Sequence, residues 1–156
     1  AIIRLLLFTG ARVSEIRDLQ WEWVQLPRLM LPDSKTGPKT IFLNSQAVRI
    51  FFFFARREDN PFVFPNRKGN CPTKLDPWWP RFRRRCALPD VRIHDLRHSF
   101  ASVGVRENVA LATIGSLLGH FLPETTARYA HLADDIIAEA AQRVSGGLAE
   151  TLGLSS

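Results

Sequence analysis

Residues 29–44 read LMLPDSKTGPKTIFLN. Two short β-prone runs, Leu29 to Leu31 and Thr40 to Leu43, flank a Pro/Asp/Ser/Gly segment that turns the chain, so the stretch is expected to form a hairpin with Lys35 near its tip. On either side the apolar spacing is helical instead. Upstream, AIIRLLLF is a predicted helix ending near Thr9-Gly10, and a second starts at Arg12 and runs to Leu19 with Ser14 near its start. Downstream, Ser45 to Arg57 is a predicted helix around the run Phe51 to Phe54, followed by the short extended piece FVFPNRKGN and a helix from about Pro77 to Ala87. Helices are then expected over Ile93 to Val105, Leu111 to Leu118, Pro123 to His131 and Ala133 to Val144. Gly119 stops one of these, and Pro123 occupies a natural first-turn position of the next. The pattern predicts a mainly helical domain with one small antiparallel sheet, without internal repeats or a low-complexity linker.

The 156 residues, close to half of them hydrophobic, suffice for one domain with a sizeable core. No stretch reaches the length of an apolar membrane span, and the opening helix carries a charge and lacks a small-residue cleavage site, so a soluble, unexported, cytoplasmic protein is expected. Cys71 and Cys86 lie far apart and in no metal-ligand spacing, which reads as reduced thiols. The net charge of +6 comes more from arginine than from lysine. The guanidinium fork suits phosphate, and nucleic acid becomes the leading partner class.

Several side chains stand out against this background. Arg12 follows Gly10, where the backbone permits a tight turn and close approach, and Glu15, three residues on, shares its helix side and is placed to hold the guanidinium. Lys35 sits where a hairpin tip reaches into a groove and where an ammonium can give a proton to a leaving oxygen. In RIHDLRHSFAS (residues 92–102) His94 and Arg97 share a helix face, and His98 lies one turn from His94. Two histidines at this spacing suit zinc, but the zincin pattern wants glutamate where Asp95 stands, so His98 reads better as a partly buried packing or hydrogen-bonding residue. His120 follows the Gly119 stop. Nine residues later comes Tyr129, the one tyrosine in a chain with eleven phenylalanines and four tryptophans. A phenol is a poor nucleophile at neutral pH unless positive charge or a base lowers the cost of its phenolate, and here it follows two arginines, a lysine and two histidines.

These elements, TGARVSEIRDLQW, DSKTGPKT, HDLRHSFAS, LLGH and TTARYAHL, occur in an order and at a spacing that resemble the catalytic domain of the tyrosine recombinase, or phage integrase, family over essentially the whole chain. The resemblance implies the mixed, mostly helical catalytic fold of that family. It implies that Arg12, Lys35, His94, Arg97 and His120 surround a scissile phosphate of double-stranded DNA, that Tyr129 is the nucleophile, and that Glu15 supports Arg12. His94 is then the candidate for assisting proton movement at the tyrosine and Lys35 the candidate acid for the departing 5′ oxygen, by way of a 3′-phosphotyrosyl intermediate without metal, cofactor or ATP.

The same resemblance implies that residues 1–156 are a C-terminal catalytic domain whose N-terminal DNA-clamping domain lies outside this sequence. It further implies a homotetramer on DNA, with the apolar stripe Ile136, Ile137, Ala140, Ala141 and Val144 docking on a neighbouring protomer or on its own domain, and a nucleoid-associated location. Arg81, Arg83, Arg84 and Arg85 are candidate contacts to the DNA backbone. The expected activity is site-specific integration or excision of a phage or other mobile element. Topoisomerase-like relaxation and a DNA-binding module without catalysis stay open as alternatives, separated by strand exchange and by covalent attachment to DNA.

Overall fold

The computed structural model describes residues 1–34, 37–57, 59–69, 72–119 and 124–151, with the backbone alone at 124, 131, 133–135, 147 and 149–151. Lys35, Cys71, His120 and Pro123 therefore lie outside the described residues.

Helix α1 spans Ile2–Thr9 and buries Ile2, Leu5, Leu6 and Thr9, the one-face spacing of an amphipathic helix. It ends on Gly10 at φ 62°, whose N–H donates to Leu6 O at 3.0 Å. This glycine is also a point of close approach, because a Cβ here would sit 2.5 Å from the Phe100 ring and 2.7 Å from Leu118. Arg12 then opens α2 (Val13–Arg17), which stops two residues short of the expected end: Asp18 N–H makes the last i→i−4 bond, to Ser14 O, whereas Leu19 N–H bonds three residues back to Ile16 O and its side chain is fully buried.

A 3-10 turn over Trp21–Trp23 leads into β1 (Val24–Gln25), which pairs antiparallel with β2 (Arg28–Leu31), itself paired antiparallel with β3 (Lys39–Phe42). The expected hairpin is thus β2 and β3, and β1 adds a third strand at its edge. In β2, Leu29 and Leu31 point into the core and Arg28 and Met30 outward. Their partners across the ladder are Ile41 and Lys39, so Lys39 stands on the core-facing side of the sheet.

Helix α3 covers Ser45–Phe51, with the Asn44 side chain accepting from Ala47 N–H at 2.8 Å. The expected continuation to Arg57 does not form. Phe53 and Phe54 N–H bond to Ile50 and Phe51 carbonyls in three-residue turns, which swing Phe54 onto the edge of Phe64 at 5.1 Å. Helix α4 (Trp79–Arg85) closes in a Schellman arrangement, Leu88 N–H to Arg83 O and Ala87 N–H to Arg84 O, which forces Ala87 to φ 56°. Helices α5 (Asp95–Arg106) and α6 (Leu111–Leu118) follow.

The expected helix from Pro123 to His131 is replaced by a short α7 (Glu124–Ala127) and a 3-10 turn over Ala130–Ala133, with Tyr129 between them, before α8 (Asp134–Thr151). Gly115 makes this possible: α7 packs so close that a Cβ there would meet Thr126 Oγ1 at 2.9 Å.

Two apolar clusters result. The larger joins α1, α2, the sheet and α3 with Val63 and Phe64; the smaller gathers Ala101, Val105, Ile114, Leu118 and Tyr129, with Ile136 of α8 packed against it. Elsewhere on α8, Ile137 and Val144 are exposed. No described helix is long and apolar enough to cross a membrane.

Candidate active site

The last turn of α6 is the centre of the site. A helix leaves its final carbonyls without helical partners, and they carry the negative end of its dipole. Leu118 O accepts from Arg97 Nη2 at 2.8 Å and from Lys39 Nζ at 3.0 Å, and Gly119 O has a longer 3.5 Å contact from Arg12 Nη2. Three cations from α2, β3 and α5 thus converge on one helix end.

Each is held from a second side. Arg97 is 5% exposed and donates through Nη1 to Gly10 O at 2.7 Å, so its fork ties α5 to the exit of α1 and the end of α6. Arg12 donates through Nη1 to Glu15 Oε1 and through its backbone N–H to Glu15 Oε2, both at 2.8 Å. Lys39 Nζ donates to the same Oε2 at 2.9 Å. The Glu15 side chain is almost wholly buried. Burial alone would raise its pKa, but the Lys39 charge and the hydrogen bonds from Arg12 and Lys39 outweigh this and hold it below the ordinary carboxylate value. Burial lowers the Lys39 pKa, opposed by Glu15 and helped by the charges of Arg97 and Arg12. The bonds among the described residues use one hydrogen on each Nη of Arg97, leaving the guanidinium others to offer an anion.

Gly119, at φ 69°, permits this geometry. A Cβ there would press on the Lys39 side chain, with Cε at 3.1 Å.

Tyr129 forms the other part of the site. Its ring belongs to the same buried cluster as Leu118 and is 6% exposed, and its hydroxyl lies 2.6 Å from His98 Nδ1. Burial raises the phenol pKa, offset in part by the charges of Arg128 and Arg97. His98 is pushed below the ordinary imidazole value by burial first and then by Arg128. His94 is more exposed and meets His98 edge-on, ring centres 5.2 Å apart; its pKa is lowered by burial and by the neighbouring His98 and Arg97.

The structure therefore brings Arg12, Glu15 and Arg97 together, with Tyr129 in the cluster beneath α6, while Lys35 and His120 lie outside the described residues. Two residues enter the site without having been assigned a role in it from the sequence. Lys39 is one, and its signal was the strand alternation that puts it in phase with Ile41 on the inner face. His98, read as a hydrogen-bonding residue, proves to bond the tyrosine hydroxyl itself. Among the described residues no three His, Cys, Asp or Glu side chains gather as metal ligands.

The candidate DNA-contact arginines divide. Arg81, Arg84 and Arg85 are exposed, whereas Arg83 is partly buried and donates to Val91 O at 3.1 Å, beside the Trp79 indole N–H bonded to the same carbonyl.

Comparison with known proteins identifies the family. Residues 1–135 match the phage integrase family. A tyrosine recombinase of Thermosipho africanus is 32% identical over 139 residues, covering 85% of this chain and 49% of that protein. Tyrosine recombinase XerA of Pyrococcus horikoshii is 30% identical over 161 residues, covering 97% and 55%. The chain thus spans about half the length of the curated relatives it matches. The Tn1549 transposon integrase, solved in complex with circular intermediate DNA, superposes with a TM-score of 0.71 at 20% identity, covering 91% of this chain and 58% of that one. With a family match over residues 1–135, a relative 30% identical across 97% of the chain, and a mainly helical fold with a small antiparallel sheet, the chain belongs to the phage integrase family, as a tyrosine recombinase catalytic domain.

Proposed function

We propose that the protein is a site-specific recombinase that cleaves and rejoins double-stranded DNA through a 3′-phosphotyrosyl intermediate on Tyr129. The observation that carries this is the convergence of Arg12 and Arg97 on the last turn of α6, with the chain's one phenol in the same buried cluster as Leu118. In-line attack by the Tyr129 oxygen builds negative charge on the non-bridging phosphate oxygens, and two preorganised guanidinium groups are suited to receive it. The Tyr129 oxygen to phosphorus bond forms as the bond from phosphorus to the 5′ oxygen breaks. The energy of the ester is retained, so a 5′ hydroxyl from another strand can reverse the attack.

In this reading His120 joins the arginines at the phosphate, His94 assists proton movement at the tyrosine from its place beside His98, and Lys35 protonates the departing 5′ oxygen. Glu15 keeps Arg12 in place. Exposed Arg81, Arg84 and Arg85 add salt-dependent affinity for the DNA backbone, while partly buried Arg83, with one donor held by Val91 O, adds less. The match to the phage integrase family supports integration or excision of a mobile element as the setting, and DNA as the partner supports a nucleoid-associated location. The exposed Ile137 and Val144 on α8 support docking of this helix on a neighbouring protomer in a homotetramer, with Ile136 retained by its own domain.

The test is covalent trapping. The protein in its full natural length is incubated with nicked duplexes made from the DNA flanking its gene and run on a denaturing gel beside Tyr129→Phe. A DNA-shifted band that disappears in the variant is expected. Measurable DNA binding with no such band on any flanking duplex contradicts the reading, and supercoil relaxation without strand exchange would move the assignment to a topoisomerase-like activity.

A further inference from the structure

The Tyr129 hydroxyl has one proton to lose before or during attack, and among the described side chains the group bonded to it is His98, at 2.6 Å. We propose that His98 is the catalytic base of this site, taking the Tyr129 proton on Nδ1 during strand cleavage and returning it during rejoining. The inference rests on the recombinase reading and names the proton acceptor within it.

The geometry is that of a base and its nucleophile. The distance is at the short end for a hydrogen bond, and a neutral imidazole with its proton on Nε2 presents an acceptor lone pair at Nδ1. His98 lies on α5 one residue after Arg97, so the helix that anchors the phosphate-binding guanidinium also fixes the base. Tyr129 approaches from the segment between α7 and the 3-10 turn, its backbone N–H held by Thr126 O at 3.0 Å. His94 is one helical turn back, its ring edge-on to His98, which gives it a place behind the base.

The electrostatics favour the same assignment. Burial disfavours the Tyr129 phenolate, so the hydroxyl needs an acceptor at the moment of attack. Burial and nearby cations lower the His98 pKa, which favours the neutral imidazole that can accept the proton. The charged and titratable groups around it are Arg92, His94, Asp95 and Arg97 from α5 and its approach, and Arg128 and Tyr129 from the facing segment. Arg128 and Arg97 also stabilise the developing phenolate.

The step balances. The Tyr129 oxygen to phosphorus bond forms, the bond from phosphorus to the 5′ oxygen breaks, the phenolic proton moves to His98 Nδ1, and the departing 5′ oxygen takes a proton from a separate acid. Rejoining runs each transfer backward. Because neutral His98 is the active form, cleavage is lost as the pH falls through its lowered pKa.

The experiment is single-turnover cleavage of a nicked duplex across pH 5–9 by the protein in its full natural length, comparing wild type, His98→Asn, His94→Asn and His98→Gly. Asparagine keeps an acceptor near Nδ1 but cannot take the proton, so His98→Asn is expected to bind DNA normally and cleave about 10²–10⁴-fold more slowly, with the acidic limb of the profile gone. His94→Asn retains that limb. His98→Gly, whose cavity admits a free base, is expected to regain cleavage with added imidazole. A His98→Asn protein that cleaves within about threefold of wild type with the same profile overturns the assignment alone. A slow variant that keeps the acidic limb, without imidazole rescue of His98→Gly, overturns it as well and leaves His98 a packing role. Absence of a covalent adduct from wild type under binding conditions removes the recombinase reading and this inference with it.

Discussion

Arg97 is held by two charge-assisted bonds to carbonyls at the exit of α1 and the end of α6, whereas the Tyr129 hydroxyl, among the described residues, meets one side chain, His98, on α5. The cationic part of the site is cross-braced: Glu15 joins α2 to β3, Lys39 joins β3 to α6, and Arg97 joins α5 to both α1 and α6. The part that holds Tyr129 is a turn between two short helical pieces. The difference suits the roles proposed for each. Charges that stabilise a transition state work best when they do not reorganise, so many fixed bonds suit them. A phenol that, on the proposed mechanism, alternates between hydroxyl and phosphate ester must exchange partners, and one bond is easier to exchange than two.

The largest effect is expected where the bracing is densest. Arg97→Ala removes a donor proposed to stabilise the phosphate and leaves Gly10 O and Leu118 O each short of a partner, so single-turnover cleavage should fall about 10³-fold and denaturant stability by about 1–3 kcal/mol. Arg97→Lys should recover part of the stability but little of the rate, since one ammonium cannot span both carbonyls.

Next comes the Glu15 brace. Glu15→Ala strands a buried Lys39 charge and frees the Arg12 guanidinium, predicting about 3–5 kcal/mol of lost stability and about 10²-fold slower cleavage from misplaced Arg12. Glu15→Gln with Lys39→Met removes both charges together and should be more stable than Glu15→Ala while cleaving no faster. Urea denaturation beside cleavage rates separates the two effects; wild-type rates in Glu15→Ala would remove its supporting role.

The same carboxylate sets an acid dependence. Its folded pKa lies below the unfolded value, so the unfolded chain binds more protons and stability falls as the pH drops from the ordinary carboxylate value through the folded one. A midpoint series in urea between pH 3 and 6 should show a shallower slope for Glu15→Gln than for wild type.

The smallest expected effect lies outside both parts. Ala87 occupies a left-handed position at φ 56°, and Ala87→Gly should stabilise the fold by about 0.5–1 kcal/mol without changing cleavage, measured by thermal unfolding.

How much of this was legible in the sequence depended on distance along the chain. Arg12 and Glu15 are three residues apart, and helical geometry alone brings them together. The hairpin was readable because Leu29, Leu31 and Ile41 alternate with outward residues. Strand β1 was not, since two residues after a 3-10 turn show no period. Lys39 escaped because its partners lie 24 and 79 residues away, and a lysine beside a hairpin loop looks solvated until the register turns it inward. The break in the helix around Tyr129 was hidden for a similar reason: it depends on how closely α7 approaches Gly115, a tertiary contact that local spacing does not encode. The facing of Tyr129 by His98 rather than His94 likewise follows from how α5 packs, because both histidines lie on adjoining parts of one helical face.

The most direct test of the account is to identify the residue that carries the DNA. The trapped complex, formed by the protein in its full natural length on a nicked flanking duplex, is digested with nuclease and protease and its peptides are analysed by mass spectrometry. The account predicts a nucleotide adduct on the peptide containing Tyr129, localised to that side chain by fragmentation. An adduct on any other residue, or DNA cleavage that leaves Tyr129 unmodified, would contradict it.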